Sequence, residues 1–448
     1  MEAKRNVVRT KSLAHSFASS LAHALGLSLT APVTATLLRA TIAACACLAV
    51  QAQAQTTLTV AAFPAVDEIV KAAIPEWKKR HPDVDIKLIS RQYTDHHTAM
   101  TTALSTRSYL PDVMALEVHY VGGFTRTGAL DDLRLPPYGI EPERERFVPF
   151  AYAQVLGNNG EVTAVPTDIG PGTLLYRTDI LAKAGVTEAD LTRSWDSYVE
   201  SGIKIKARTG AFLLANAHDI KDIVIRTGIQ PGQGTYFDSK GHVLVNSPRF
   251  VRAFALAREV RRHGLDAKVL AWSSDWAEGF KRGSLATQMS GAWLAGHLAN
   301  WLAPNTTGLW RAAQLPEGAY AAWGGSYFSI PKASNPTNKA LAWEFIRMLT
   351  LEPGMQLAAF KQQNAFPALA ETFNDPFFLQ PIAFLGGQHA REIWRDAALR
   401  ISPILVHKQD AFAEEVINTE LDKVLEKGKD IGEALRDAER LLQRRALR

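Results

Sequence analysis

Six of the chain's ten tryptophans, Trp272, Trp276, Trp293, Trp301, Trp310 and Trp323, crowd one segment of 448 residues. Polar residues able to bind or cap stand at the ends of apolar runs elsewhere: Glu117 and His119 in ALEVHY, Asp168 in VPTDIG, and Asn216, His218 and Asp219 in ANAHDI. Flat indoles beside carboxylates and amides suit a ligand with one apolar face and a rim of hydroxyls, which is the chemistry of a sugar ring. Trp293 and Trp323 are the stronger candidates because small residues flank them, Gly291-Ala292 before one and Gly324-Gly325 after the other. Glycine admits close backbone approach and leaves amide donors free for a ligand. The other reading of Gly324-Gly325 is a plain turn into a strand at Tyr327 to Ile330. Trp272 and Trp276 lie four apart and precede Phe280, a helical stripe that serves packing as readily as binding. Asp168 suits a turn cap equally well, and His218-Asp219 suit the cap of a helix through Ile220 and Ile223.

Other chemistries find less support. His96 and His97 are adjacent rather than at ligand spacing, and neither an HExxH nor a GxSxG motif nor a phosphate loop occurs. No metal, cofactor or catalytic residue is therefore expected. A glycoside hydrolase would need two carboxylates about 5 to 9.5 Å apart across the bond, for which only Glu117 and Asp168 offer themselves. Among other ligands, iron would call for clustered tyrosines and a phosphodiester such as a glycerophosphodiester for clustered arginines; a polyamine is a further alternative. Tryptophan dominates instead.

The elements that must position these residues alternate. TLTVAAF reads as a strand, VDEIVKAAIPEWKKRHP as a helix, DVDIKLIS as a strand, Thr98 to Ser108 as a helix and PDVMAL as a third strand, before a helix from Val121 to Thr127. This order predicts an α/β fold whose sheets are mostly parallel and covered by helices on both faces. Ligands in such sheets sit beyond the carboxyl ends of the strands, which points to Phe63, Tyr93, Glu117, His119 and Tyr120. VPTDIGPGTLLY interrupts an apolar run with two prolines and two glycines and then resumes it, as a chain leaving one sheet for another would. A second α/β segment follows, with helices at Thr178 to Ala184, Asp196 to Thr209 and Arg249 to His263. It also contains a strand in AFLLAN, a hairpin in FDSKGHVLVN and a strand from Leu285 to Met289 leading into a helix from Leu294 to Trp301. A strand at Tyr327 to Ile330, a helix from Lys339 to Thr350 and a helical tail from Ala411 to Leu447 complete the reading.

Length favours two lobes over one core. The first 54 residues read as a removable export signal: Lys4, Arg5, Arg9, Lys11 and Arg39 precede ATIAACACLAV, and Ala52-Gln53-Ala54 supplies a cleavage site. That apolar run is shorter than the about 20 residues a membrane span takes. A rival reading is a lipoprotein box at Ile42-Ala43-Ala44-Cys45. Removing the leader takes five basic residues and one acidic residue, leaving 45 against 44, a net of +1. Nucleic acid is then not an expected partner. Arg440, Arg444, Arg445 and Arg448 complement a helix end. Both cysteines leave with the leader, so a large core must stabilise the exported chain without disulfides.

Six stretches in order resemble the extracellular solute-binding proteins of ABC sugar importers, similar to maltose- and lactose-binding proteins. They are IPEWKKRHPDVDIKL; PDVMALEVHYVGGFTRTGALDDL; VPTDIGPGTLLYRTDILAKAGV; SWDSYVESGIKIKARTG; FKRGSLATQMSGAW; and GGSYFSIPKASNPTNKALAWEFIRMLT. The resemblance implies a two-lobe periplasmic-binding-protein fold of type II, joined by a hinge of crossing strands, with 55–168 and 317–366 in the N-terminal lobe and 169–316 and 367–448 in the C-terminal lobe. It implies a periplasmic monomer, not an enzyme, that binds a carbohydrate in the cleft and delivers it to the permease of an ABC transporter. VPTDIGPGTLLY then resembles the first crossover, and Trp293 falls where relatives stack a tryptophan on the sugar. Leu116 and His119 replace an aromatic and an acidic residue that grip the sugar in maltose-binding relatives, which implies a different specificity.

Overall fold

The computed structural model describes residues 56–157 and 159–446. The leader, its cleavage site and Cys45 lie outside the described residues. The chain begins with β1 (Thr56–Ala62), α1 (Val66–Arg80) and β2 (Val84–Ser90). α1 buries Val66, Ile69, Val70, Ala73 and Trp77, a helical stripe. Lys78, Lys79 and Arg80 close its last turn, where cations meet the negative helix end. α2 (Tyr93–Thr106) begins earlier than the apolar spacing predicts. Its inner face is made by His96 and His97 together with Met100 and Ala103, and buried histidines carry no hydrophobic signal. β3 (Val113–Glu117) is buried throughout and runs directly into α3 (Val118–Thr125).

The remaining elements follow β4 (Val165–Arg177). They are α4 (Thr178–Ala184), α5 (Trp195–Thr209), α6 (Ala217–Val224), α7 (Pro248–Arg262), α8 (Ser274–Arg282), β5 (Thr287–Gly291), β6 (Trp310–Ala313) and β7 (Ala322–Ser329). α9 (Lys339–Leu351), α10 (Pro353–Gln363), α11 (Ala390–Arg400), α12 (Asp410–Lys427) and α13 (Ile431–Ala446) complete the chain. Gly428, in the left-handed region at φ 67°, divides the expected continuous tail into α12 and α13.

The strands are ordered β2-β1-β3-β7-β4-β5, with β6 also on β4. β1 and β3 pair parallel, whereas β3–β7, β7–β4, β4–β5 and β4–β6 are antiparallel. The mostly parallel sheets expected from the alternation are thus replaced by a mixed one, because returning strands β5, β6 and β7 pair against β4. AFLLAN and FDSKGHVLVN make single bridges rather than strands: Phe212 to Leu285, Leu214 to Asp266, Gln233 to Asp238 and Phe237 to Val243.

VPTDIGPGTLLYR is one strand of 13 residues, uninterrupted by its prolines and glycines. Its first half pairs with β7, from Val165 opposite Phe328 to Pro171 opposite Ala322. Its second half pairs with β5, from Gly172 opposite Gly291 to Tyr176 opposite Thr287, and with β6. Register shifts between Pro166 and Asp168 and between Ile169 and Pro171 absorb the prolines. The glycines answer a steric demand: a Cβ on Gly170 would lie 1.7 Å from the Trp323 carbonyl oxygen, and one on Gly172 2.7 Å from that of Ala321. One strand thus belongs to both halves of the molecule. Buried apolar side chains form two clusters, one containing Val60, Val113, Phe328 and Phe345, the other Leu174, Trp195, Phe254 and Leu435.

Candidate functional site

Glu117 ends β3 and is the N-cap of α3, accepting the His119 backbone N–H on Oε2 at 2.8 Å. The same oxygen accepts from Tyr93 Oη at 2.7 Å and meets His119 Nδ1 at 2.8 Å. Burial would raise this carboxyl, but the charge on His119 and the hydrogen bonds from His119 and Tyr93 outweigh it and hold it below the ordinary range. The Glu117 N–H donates to His97 Nε2 at 3.2 Å, so the His97 proton sits on Nδ1 and donates to the Tyr93 carbonyl at 2.8 Å. Burial lowers His97 to about 4, and its ring stacks on Tyr120 at 4.0 Å. Phe63 meets Tyr93 edge-on at 5.7 Å, completing an aromatic wall behind the carboxylate.

His119 faces out from this wall, and Arg226 Nη2 lies 3.0 Å from its Nε2. Burial disfavours the imidazolium, but the carboxylates of Glu117 and Glu414 outweigh it and lift the ring to about 9. The Arg226 contact works the other way, because at 3.0 Å it requires a bare Nε2. Arg226 itself follows α6, donates to the Asp222 carbonyl at 2.6 Å and lies 5.1 Å over the Trp323 ring.

Trp323 and both following glycines belong to β7, which extends further back than the expected strand, so no turn precedes it. Trp293 Nε1 donates to the Trp323 carbonyl at 3.1 Å. A Cβ on Gly291 would meet Trp293 Nε1 at 2.2 Å, and one on Gly324 at 3.1 Å. These glycines therefore make room for the indole. Gly325, at φ 141°, places its Cα beside the Asp168 carbonyl. In the ladder Glu117 opposes Ser326 and Ser326 opposes Asp168, so the three side chains share one face of the sheet. Burial pushes the Asp168 carboxyl up to about 6 against the hydrogen bond from Ser326. Its Oδ1 has no hydrogen-bond partner among the described residues.

The other predicted positions lie apart from this face. His218 Nε2 meets Asp422 of α12 at 2.9 Å, and Asp219 completes a capping box with Asn216 at the start of α6. The capping alternative is thus what the structure places at Asp219. Trp276 is buried and donates from Nε1 to Gln288 Oε1 at 3.2 Å. Gln288 in turn approaches Asp219 at 3.4 Å. Trp276 therefore supports the aromatic segment from below. The spacing of residues did not single out Arg226, Glu414 or Ser326. Arg226 follows a helix end, where a cation is ordinary, and only the fold brings it to His119.

His119, Gln154, Arg226, Tyr236, Gly324 and Glu414 bound a cavity of about 50 Å³. His119 and Tyr120 also face a larger one of about 620 Å³ between α2 and α3, edged by Lys332 and Lys408.

The sequence profile of the bacterial extracellular solute-binding proteins matches residues 72–384. The chain is 27% identical over 346 residues to the lactose-binding protein of Rhizobium radiobacter, covering 74% of this chain and 78% of that one. Its fold superposes with a TM-score of 0.75 on a crystal structure of an extracellular solute-binding protein of family 1, at 25% identity over 87% of this chain and all of the other. It also superposes with a TM-score of 0.72, at 23% identity over 87% and 97% of the two chains, on the ABC transporter associated binding protein from B. animalis subsp. lactis Bl-04, solved with β-1,6-galactobiose.

Proposed function

The chain belongs to the bacterial extracellular solute-binding proteins, and from that premise we propose that it captures a carbohydrate between two lobes and delivers it to the permease of an ABC importer. The observation that carries this reading is the junction of Trp293 and Trp323 beside the polar row Glu117, Ser326 and Asp168. An indole face takes the apolar side of a pyranose while carboxylates accept from its hydroxyls. In this reading Trp293 and Trp323 are the platforms, Asp168 Oδ1 and Glu117 are acceptors, His119 and Arg226 close over the ligand, and Phe63 and Tyr93 hold Glu117 in place. Gly324 and Gly325 give the ligand access to the β7 backbone. We assign 55–168 and 317–366 to one lobe and 169–316 and 367–448 to the other, in a monomer exported to the periplasm after cleavage following Ala54. The name of the lactose-binding relative supports a sugar ligand.

Calorimetry over a panel of mono- and oligosaccharides tests the reading, with the sugar recovered intact after long incubation. Trp293→Ala is expected to leave melting of the unliganded protein nearly unchanged and to lower affinity more than about tenfold, from lost stacking plus lost buried area. A protein that binds no sugar, or that hydrolyses one and stops doing so as Glu117→Gln, would overturn it.

A further inference from the structure

Trp293 does not stand alone. The Trp272 ring lies 5.7 Å from it with planes 16° apart, and Trp301 lies 6.4 Å beyond Trp272 at 21°. The three indoles form a stair of near-parallel rings that starts at the Trp323 carbonyl. Its inner step is half-buried, but Trp272 is 56% exposed and Trp301 53%. His297 meets all three rings edge-on at 5.5 to 5.8 Å. It also accepts from Trp301 Nε1 on Nδ1 at 3.0 Å, which fixes the outer ring's orientation. Burial lowers His297, so the ring is neutral and Nδ1 is free to accept.

Two features argue that this stair is more than packing. Isolated exposed aromatics are ordinary on a surface, but adjacent and mutually aligned ones mark a binding face. The backbone of Trp272 also sits at φ 69°, in the left-handed region. A bulky side chain is a real outlier there, and such strain persists where it serves a function. The packing of Trp276 beneath, at 5.1 Å, holds the strained ring in place.

We propose that Trp272 and Trp301 form an outer subsite that stacks the sugar units of an oligosaccharide lying beyond those held at Trp293. The exposed parts of Trp272 and Trp301, continuing outward from Trp293, offer apolar platforms to a neutral glycan chain. This rests on the carbohydrate reading above, which it narrows to ligands of more than two units.

The test compares disaccharide and tetrasaccharide of one linkage by calorimetry on the full chain: maltose with maltotetraose, cellobiose with cellotetraose, and 1,5-α-arabinobiose with its tetraose. The tetrasaccharide of the bound series should be tighter than its disaccharide. Trp272→Ala and Trp301→Ala should each weaken the tetrasaccharide by about tenfold and leave the disaccharide within about twofold. Trp272→Gly should do the same while raising the melting temperature of the unliganded protein, because glycine relieves the left-handed backbone. Equal affinity of both lengths, or variants that leave the tetrasaccharide unchanged, would overturn the subsite while leaving the carbohydrate reading intact. Sedimentation that shows the alanine variants losing self-association instead would assign the stair to contact between copies. If no sugar of these series, nor of a panel extended to lactose and the galactobioses, binds, the carbohydrate reading itself fails.

Discussion

Asp168 is a residue whose charge works against the fold. Burial raises its carboxyl to about 6, so the native state holds the proton more tightly than the unfolded chain does. Stability from this group is complete below its unfolded value near 4 and is lost as pH rises through 6. Asp168→Asn should therefore melt higher than the parent at pH 7, by the equivalent of roughly 1 to 3 kcal/mol, and the difference should close between pH 6 and pH 4. The same variant should bind its sugar more weakly, because it loses an anionic acceptor. Thermal melting across that pH range checks both the sign and the window, and a pH-independent difference would remove Asp168 from the buried row. Such a carboxylate was legible in the sequence as a candidate, but so was its alternative as a turn cap. What no local spacing reveals is its opposition to Ser326 and Glu117 across strands distant in sequence. Arg226 shows the converse, since nothing in DIVIRTG distinguishes a helix-end cation from one that reaches His119.

At the level of elements, β4 explains why the sequence was only partly readable. Helices with local caps stood close to their expected bounds, as α5 does between Ser194 and Gly210, because caps and periodicity lie within the segment itself. β4 and β7 differed because their conformations are set by each other: Gly170 and Gly172 look like breakers until Trp323 and Ala321 are seen against them. Gly170→Ala tests this. With a Cβ aimed at a carbonyl oxygen 1.7 Å away, the strands must separate, and the expected cost of roughly 1 to 3 kcal/mol or more should come with weaker sugar binding as Trp323 and Trp293 shift. Gly210→Ala is the control. It is left-handed at φ 74° with nothing within 4 Å of an added Cβ, so it should cost about 1 kcal/mol and leave affinity untouched. Equal effects of the two on binding would separate the β4–β7 crossing from the site.

On the scale of the whole molecule, the space between His119 and Arg226 is the constraint. Ligand sites enclose about 300 to 1,000 Å³, whereas the cavity these residues bound holds about 50 Å³. On the proposed reading, a pyranose would enter this space once Arg226 leaves His119 and the two halves part. A ligand touching both halves then favours the closed arrangement by its differential affinity. Small-angle scattering should show a smaller radius of gyration at sugar saturation than without sugar, and Arg226→Ala should enlarge the unliganded form. Identical curves in all three states would rule out closure.

The continuity of β4 has a mechanical consequence. Its first half is locked in register with β7 and its second with β5 and β6, so neither half can slide. Pairing passes from Pro171 opposite Ala322 directly to Gly172 opposite Gly291, so the crossing resembles a leaf spring rather than a tether. On the proposed reading, motion of the halves would be confined to few degrees of freedom by this pairing. If the proposed permease gauges the gap, it would meet a crossing with little play.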